Sequence, residues 1–217
     1  MKVLLVEDDS SLREGMVELI SEQAEVREAG SVAKALVALR EELFSLVITD
    51  LRIGETGEGG RIILEAARKR LQPVAIVSAA TSEEVGRVLR PHEPDAVLAK
   101  PFQIDDMLGL VERFLALHGG VERLATGPVP PESAWQEVTP GIRMVEEPGG
   151  RLWTRMAPGA GVSRPAHRGR MGVLVLEGSL EVDGERRVGP HYFYMAAGAR
   201  ELRTQEGCLI VAQAFHG

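Results

Sequence analysis

In the first half of the chain, short apolar runs alternate with amphipathic segments, and that rhythm limits the fold more than any other feature. KVLLV (2–6), LFSLVIT (43–49), PVAIV (73–77) and DAVLA (95–99) are mostly apolar throughout, as strands buried on both faces must be. A further strand is expected near Ala24–Glu28. Between these runs the apolar residues recur at helical spacing. Ser10 opens a helix through about Glu22, serving as its N-cap, with Leu12, Met16, Leu19 and Ile20 on one face. Other helices are expected from Ser31 to Glu41, after the glycine-rich GETGEGG (54–60) through Arg70, over Thr81–Leu89 and over Ile104–Leu117. Five strand–helix alternations predict an α/β domain, a doubly wound five-stranded parallel sheet with helices on both faces. Ligands of such sheets bind at the carboxyl ends of the strands, near the point where strand order reverses.

The predicted strand ends carry the polar residues. Glu7, Asp8 and Asp9 follow the first strand, Asp50 ends the third, Ser78 the fourth, and Lys100 followed by Pro101 the fifth. Carboxylates gathered in one crevice repel one another unless a cation sits among them, and hard oxygen donors at this density suit Mg²⁺. A metal there neutralises charge on a transferring phosphoryl group. Asp50 is then free to act as nucleophile and form an acyl phosphate. Lys100 offers a point charge, and the Ser78 hydroxyl a hydrogen bond, to phosphoryl oxygens. Asp9 is expected to face solvent or lie near the helix start.

VLLVEDDSSLRE, VITDLR, VSA and AKPF together resemble the receiver domains of bacterial two-component response regulators over residues 1–118. The resemblance implies the flavodoxin-like version of the sheet, Asp50 as phosphoacceptor, and Glu7, Asp8, Asp50 and the Arg52 backbone carbonyl as ligands of Mg²⁺. It also implies Ser78 as the switch hydroxyl, Lys100 as the family's lysine, and a cis Lys100–Pro101 bond. Two positions depart from the family. Val97 stands where a switching Tyr or Phe is usual, and the 54–60 loop replaces a shorter, proline-containing turn.

Residues 119–134, GGVERLATGPVPPESA, read as a linker by composition. Beyond them, over residues 135–217, short alternating runs separated by Gly and Pro have the cadence of an all-β sandwich or barrel. PGAGVSRPAHRGRMGVLVLEGSLEVDG (158–184) and VGPHYFYMAAGARELRTQEGCLIV (188–211) resemble a cupin, a small double-sheet β-barrel, and RTQEGC is similar to the cupin domain of certain zinc-dependent anti-sigma factors. The metal motif that the resemblance implies is reduced to His167 and Glu201, short of the three or four ligands that a Zn²⁺ or Fe²⁺ site needs. His167 reads equally as a hydrogen-bonded loop histidine. Arg164, Arg168, Arg170, Arg200 and Arg203 read either as an anion-binding ring at a barrel mouth or as solvated strand edges. Cys208, on an apolar strand, reads as a buried small hydrophobe.

Charge separates the halves. Residues 1–118 carry 14 Lys+Arg against 21 Asp+Glu, whereas residues 119–217 carry 11 Arg, no Lys and 11 Asp+Glu. An acidic body and a neutral second half without a reading helix argue against direct DNA binding. One cysteine, no apolar run of membrane-spanning length and no leader pattern suggest a cytoplasmic protein without a membrane role. The expected function is that of a response regulator, phosphorylated on Asp50 by a sensor histidine kinase or phosphotransfer protein. Its β output would contact a sigma or anti-sigma factor, another regulatory protein, or a second copy through Leu108, Val111, Phe114 and Leu115 of the last receiver helix. Enzymatic turnover by the β half is not expected. The alternatives are a phosphorylation-gated metal-dependent cupin enzyme and a small-anion sensor.

Overall fold

The computed structural model describes residues 1–54, 57–164 and 169–215. They form two compact units, residues 1–115 and 116–217, and the division falls inside one helix.

In the first unit, β1 (Lys2–Val6), β2 (Glu25–Ala29), β3 (Leu46–Thr49), β4 (Val74–Ser78) and β5 (Ala96–Ala99) form a parallel sheet of order β2-β1-β3-β4-β5. Helices α1 (Ser10–Ser21), α2 (Val32–Glu41), α3 (Gly59–Lys69), α4 (Ser82–Leu89) and α5 (from Ile104) connect and flank the strands. The doubly wound five-stranded sheet expected from the sequence is therefore present. β1, β3 and β4 are buried almost completely, which is why their sequences read as apolar runs rather than alternating ones. Between β1 and β3 the strand order reverses, so the residues after those two strands face one crevice.

Local signals set the helix starts. Asp9, not Ser10, caps α1, because its carboxylate accepts the Leu12 N–H at 2.8 Å and Ser10 falls inside the first turn. Ser31 and Thr81 cap α2 and α4 through the N–H groups of Lys34 and Glu84. The GETGEGG segment is tighter at its end than its composition suggests. α3 begins at Gly59, and a Cβ on Gly60 would lie 2.5 Å from the Asp50 carbonyl, so only glycine lets this helix start so close to β3.

α5 continues to Ala125, well past the Leu117 end expected, and takes in the first part of the presumed linker. Glycine propensity at Gly119 and Gly120 is overridden by burial. Val121 and Leu124 join Trp135, Trp153, Leu209 and Val211 in one apolar cluster on a sheet of the second unit. Val111 and Phe114 of α5, expected at a dimer surface, are buried within the first unit instead.

The second unit is all-β after α5 and a 3₁₀ turn at Glu132–Ala134. Its strands are β6 (Gln136–Thr139), β7 (Ile142–Glu147), β8 (Arg151–Met156), β9 (Gly161–Arg164), β10 (Met171–Val182), β11 (Glu185–Val188), β12 (His191–Met195), β13 (Arg200–Arg203) and β14 (Cys208–Ala214). They make one curled antiparallel sheet, a half-barrel, in which β6-β7-β8-β14-β10-β13-β9 run in order and β11 and β12 also pair with β10. β10 runs unbroken from Met171 to Val182, through Gly178. The register shifts between Val175 and Glu177, and this bulge bends β10 so that its first half pairs with β12 and its second half with β11 and β13. The two-residue period of the sheet sorts its faces. Leu152, Thr154 and Met156 of β8 and Ile210 and Ala212 of β14 face one way, while Trp153, Leu209 and Val211 face the α5 cluster.

β10 and β14 meet so closely at Gly178 (φ +73°) that a Cβ there would lie 2.0 Å from the Gly207 carbonyl oxygen. Gly178→Ala is expected to cost about 1–3 kcal/mol through positive φ and overpacking. Both tryptophans, Trp135 and Trp153, lie in the second unit, so urea unfolding followed by tryptophan fluorescence should show its midpoint falling. An unchanged midpoint would mean that the strand pair relaxes without cost.

Candidate functional site

Three strand ends meet on one ammonium. β1 delivers Glu7, β3 delivers Asp50 and β5 delivers Lys100, whose Nζ lies 2.6 Å from Glu7 Oε2 and 2.6 Å from Asp50 Oδ2. Backbone bonds hold the three positions: the Asp50 N–H donates to the Val6 carbonyl at 3.3 Å and the Lys100 N–H to the Ser78 carbonyl at 2.9 Å. The Lys100–Pro101 bond is cis, as expected.

Glu7 is buried yet fully engaged. Its Oε1 accepts the Asp9 N–H at 3.3 Å, and its carbonyl accepts Arg13 Nη1 at 2.8 Å. Arg13 also pairs with Glu28 through Nε at 2.9 Å. Burial works to lower the Lys100 pKa, but the hydrogen bonds it donates to Asp50 and Glu7 outweigh it, and the pKa is raised. The ammonium therefore stays charged throughout the neutral range. Asp50 presents a partly exposed carboxylate whose Oδ1 accepts the Arg52 N–H at 3.1 Å. Ser78 is buried at the end of β4, where its hydroxyl accepts the Ala80 N–H at 3.4 Å.

The expected carboxylate set is gathered in part. Glu7 and Asp50 share Lys100, whereas Asp8 is exposed and accepts the Gly54 N–H at 3.2 Å. Among the described residues no group of three or more His, Cys, Asp or Glu side chains is drawn together closely enough to hold a metal ion. In this arrangement the cation between the carboxylates is the lysine's own.

Three contacts around the crevice had no reading in the sequence. Arg13 anchors the Glu7 backbone; its place one turn after Asp9 was the available signal. The Arg52 side chain pairs with Glu84 on α4, linking the residue two past Asp50 to a helix that flanks the site. Arg68 and the buried Asp95, 2.5 Å apart, tie α3 to the start of β5, and Asp95 also accepts the Val74 N–H at 2.8 Å. Val97 is exposed on β5, with no aromatic ring at that position.

The second unit departs further from expectation. His167 and Arg168 lie outside the described residues. Glu201 is exposed and its carboxylate lies 3.8 Å from Arg203, while its neighbour Leu202 faces the inner side of the half-barrel, so Glu201 is on the wrong face to be an interior ligand. Arg200 pairs with Asp183 at 2.7 Å and Arg186 with Glu206 at 2.8 Å. Arg200 and Arg186 thus meet nearby acids rather than one shared anion. Arg164 is the exception, buried beside the inner face, and Arg170 is partly exposed. Cys208 is buried, and burial pushes its thiol up to about 11.

A parallel sheet of this order with an Asp–Lys–Glu contact at its strand ends defines a signal-receiver domain. The sequence pattern of the response regulator receiver domain matches residues 3–112, and the chain belongs to that family. It is 28% identical over 113 residues to the transcriptional regulatory protein PdtaR of Mycobacterium tuberculosis, covering 51% of this chain and 55% of that one. It is 35% identical over 115 residues to the response regulator protein FleR of Pseudomonas aeruginosa, covering 52% of this chain and 24% of that one. The chain thus spans about half, or less, of the length of these relatives. A CheY-like receiver domain from Methanospirillum hungatei superimposes with a TM-score of 0.50 at 22% identity, over 55% of this chain and 96% of that one, a likeness of fold. No helix among the described residues is long and apolar enough to cross a membrane.

Two measurements check this geometry. Arg52→Ala removes an exposed ion pair worth at most about 1 kcal/mol, so amide exchange across residues 82–89 should quicken by no more than about fivefold. No change would mean that the pair does not restrain α4. With its thiol at about 11, Cys208 is about one part in a thousand thiolate at pH 8 and should react with Ellman's reagent only as fast as the protein opens. Prompt stoichiometric reaction of the native chain would contradict its burial.

Proposed function

We propose that the chain is a phosphorylated response regulator in which Asp50 accepts a phosphoryl group from a sensor histidine kinase or phosphotransfer protein, and in which the β unit is a non-DNA-binding output. The observation that carries this reading is the contact of Lys100 Nζ with Asp50 Oδ2 and Glu7 Oε2 at 2.6 Å each. It leaves Asp50 partly exposed and oriented, as a nucleophile must be. In transfer, an Asp50 carboxylate oxygen forms the new P–O bond as the P–N bond to the donor imidazole breaks. Lys100 follows the charge from carboxylate to phosphoryl oxygen, and Ser78, at the end of β4, offers its hydroxyl to another.

The donors around the crevice are carboxylate oxygens, a chemistry that fits a hard divalent ion. Glu7, Asp8, Asp50 and the Arg52 carbonyl would hold Mg²⁺. When bound, it supplies charge neutralisation for the transferring group. Its entry would compete with Lys100 for Glu7 and Asp50, and with the Gly54 N–H for Asp8.

The relative PdtaR carries a name from transcriptional control. In this chain, however, the described residues after α5 are strands, loops and a single 3₁₀ turn, and the second half has no net charge. Such a surface lacks both the reading helix and the positive field that DNA requires. We infer an output through protein contacts, with a sigma or anti-sigma factor among the candidate partners.

Incubation with Mg²⁺ and acetyl phosphate or phosphoramidate, followed by intact mass measurement, should show a single phosphoryl adduct that is absent from Asp50→Ala and without Mg²⁺. A wild type that stays unmodified with every donor would sink the proposal and leave a receiver fold without its chemistry.

A further inference from the structure

The curl of the β unit encloses an apolar hollow that signal reception does not use. Its walls run from one edge of the sheet to the other: Val138 comes from β6, at one end of the strand order, and Val162 from β9, at the other. The space, about 150 Å³, is therefore a product of the half-barrel as a whole and not a gap between two ill-fitting side chains. Four of the chain's seven methionines, Met144, Met156, Met171 and Met195, line it, and they are all the methionines of that unit. Met144 and Met156 lie on the inward register of β7 and β8, and Met171 pairs with Met195 across β10 and β12.

Protein cores are packed as densely as organic crystals, with few voids larger than a water molecule. Here apolar wall is left without a packing partner, and part of it is open to solvent, since Val138 is 57% and Val162 39% exposed. A concave, mostly apolar surface of this kind is what small-molecule sites are built from. Methionine suits such a wall, because it is unbranched and polarizable and recurs where a surface must adapt to what it binds.

The polar groups of the wall narrow the class of ligand by what they do not offer. The described lining contains no His, Cys, Asp, Glu or Lys. Its one charged residue, Arg164, is buried at the end of β9 and is already engaged: the guanidinium donates to the carbonyls of Gly198 (3.4 Å) and Gly169, and the residue has a further partner besides. Ser163 pairs with Glu201 across β9 and β13 and so belongs to the outer face. Thr139 and Thr154 add hydroxyls to a wall otherwise made of aliphatic and thioether groups. A charged ligand entering this space would lose its hydration and gain no counter-charge, so the hollow selects against ions of either sign. An aliphatic cavity of this volume stays dry and takes up a benzene ring.

We propose that the half-barrel binds a small uncharged apolar molecule of about the size of a benzene ring, seated among the four methionines. The site does not involve Asp50 and requires no phosphoryl group. It would give the β unit a chemical input of its own.

The test is methyl NMR of the full chain labelled with ¹³C-methyl methionine, titrated with toluene and, as a charged molecule with the same ring, benzoate. Toluene should shift the methyls of Met144, Met156, Met171 and Met195 saturably and leave Met16 and Met107 in place. Benzoate should bind about tenfold or more weakly, because its carboxylate must be dehydrated without a partner. Ala212→Leu, which fills the hollow from β14, should weaken toluene by about tenfold or more while leaving the receiver methyls unchanged. If that variant fails to fold, the two ligands on the wild type decide alone. The proposal is overturned if toluene gives no saturable shift, if the receiver methionines shift to the same extent, if benzoate binds as tightly as toluene, or if a folded Ala212→Leu binds toluene undiminished.

Discussion

Lys100 is the group on which the receiver site depends. Two carboxylates brought into one crevice by β1 and β3 would repel each other across a partly buried space, and the ammonium from β5 removes that cost by lying 2.6 Å from both. The contact requires three strands in the right order. Only with β1 beside β3 and β5 at the far edge, reached through β4, do residues 7, 50 and 100 come together across the top of the sheet. Fold and chemistry are thus coupled, because the parallel order that buries the apolar strands is the order that assembles the charges.

Around this contact the backbone is held more firmly than the side chains. Arg13 clamps the Glu7 carbonyl, and Gly60 allows α3 to begin against the Asp50 carbonyl. Asp8 and the Arg52 side chain, by contrast, are exposed, Asp8 meeting the Gly54 N–H and Arg52 pairing with Glu84. A site built this way keeps Asp50 fixed while its periphery rearranges at little cost.

The β unit solves a different problem, since its sheet is apolar on both faces. α5 covers one face through Val121 and Leu124, against Trp153, Leu209 and Val211. The curl of the sheet, produced by the bulge in β10, folds the other face around the methionine-lined space. Arg186 and Arg200 pair with nearby acids.

The sequence by itself determined the receiver. Period and composition placed its five strands, and Glu7, Asp50, Ser78 and Lys100 were legible because each directly follows an apolar run whose end must lie at the ligand-binding edge of a parallel sheet. Helix caps were legible to within one residue, since Asp9 and Ser10 are both good capping groups and only the bond to the Leu12 N–H chose between them. The length of α5, the bend in β10 and the outward face of Glu201 were decided by tertiary structure. Each depends on which distant surface a side chain meets. Val121 and Leu124 keep a glycine-containing segment helical because the sheet offers apolar area to cover, and Glu201 faces outward because its pairing with β9 sets its parity. Local sequence encodes backbone preference and burial period, but strand register, and with it the face a residue presents, is settled only when remote strands pair.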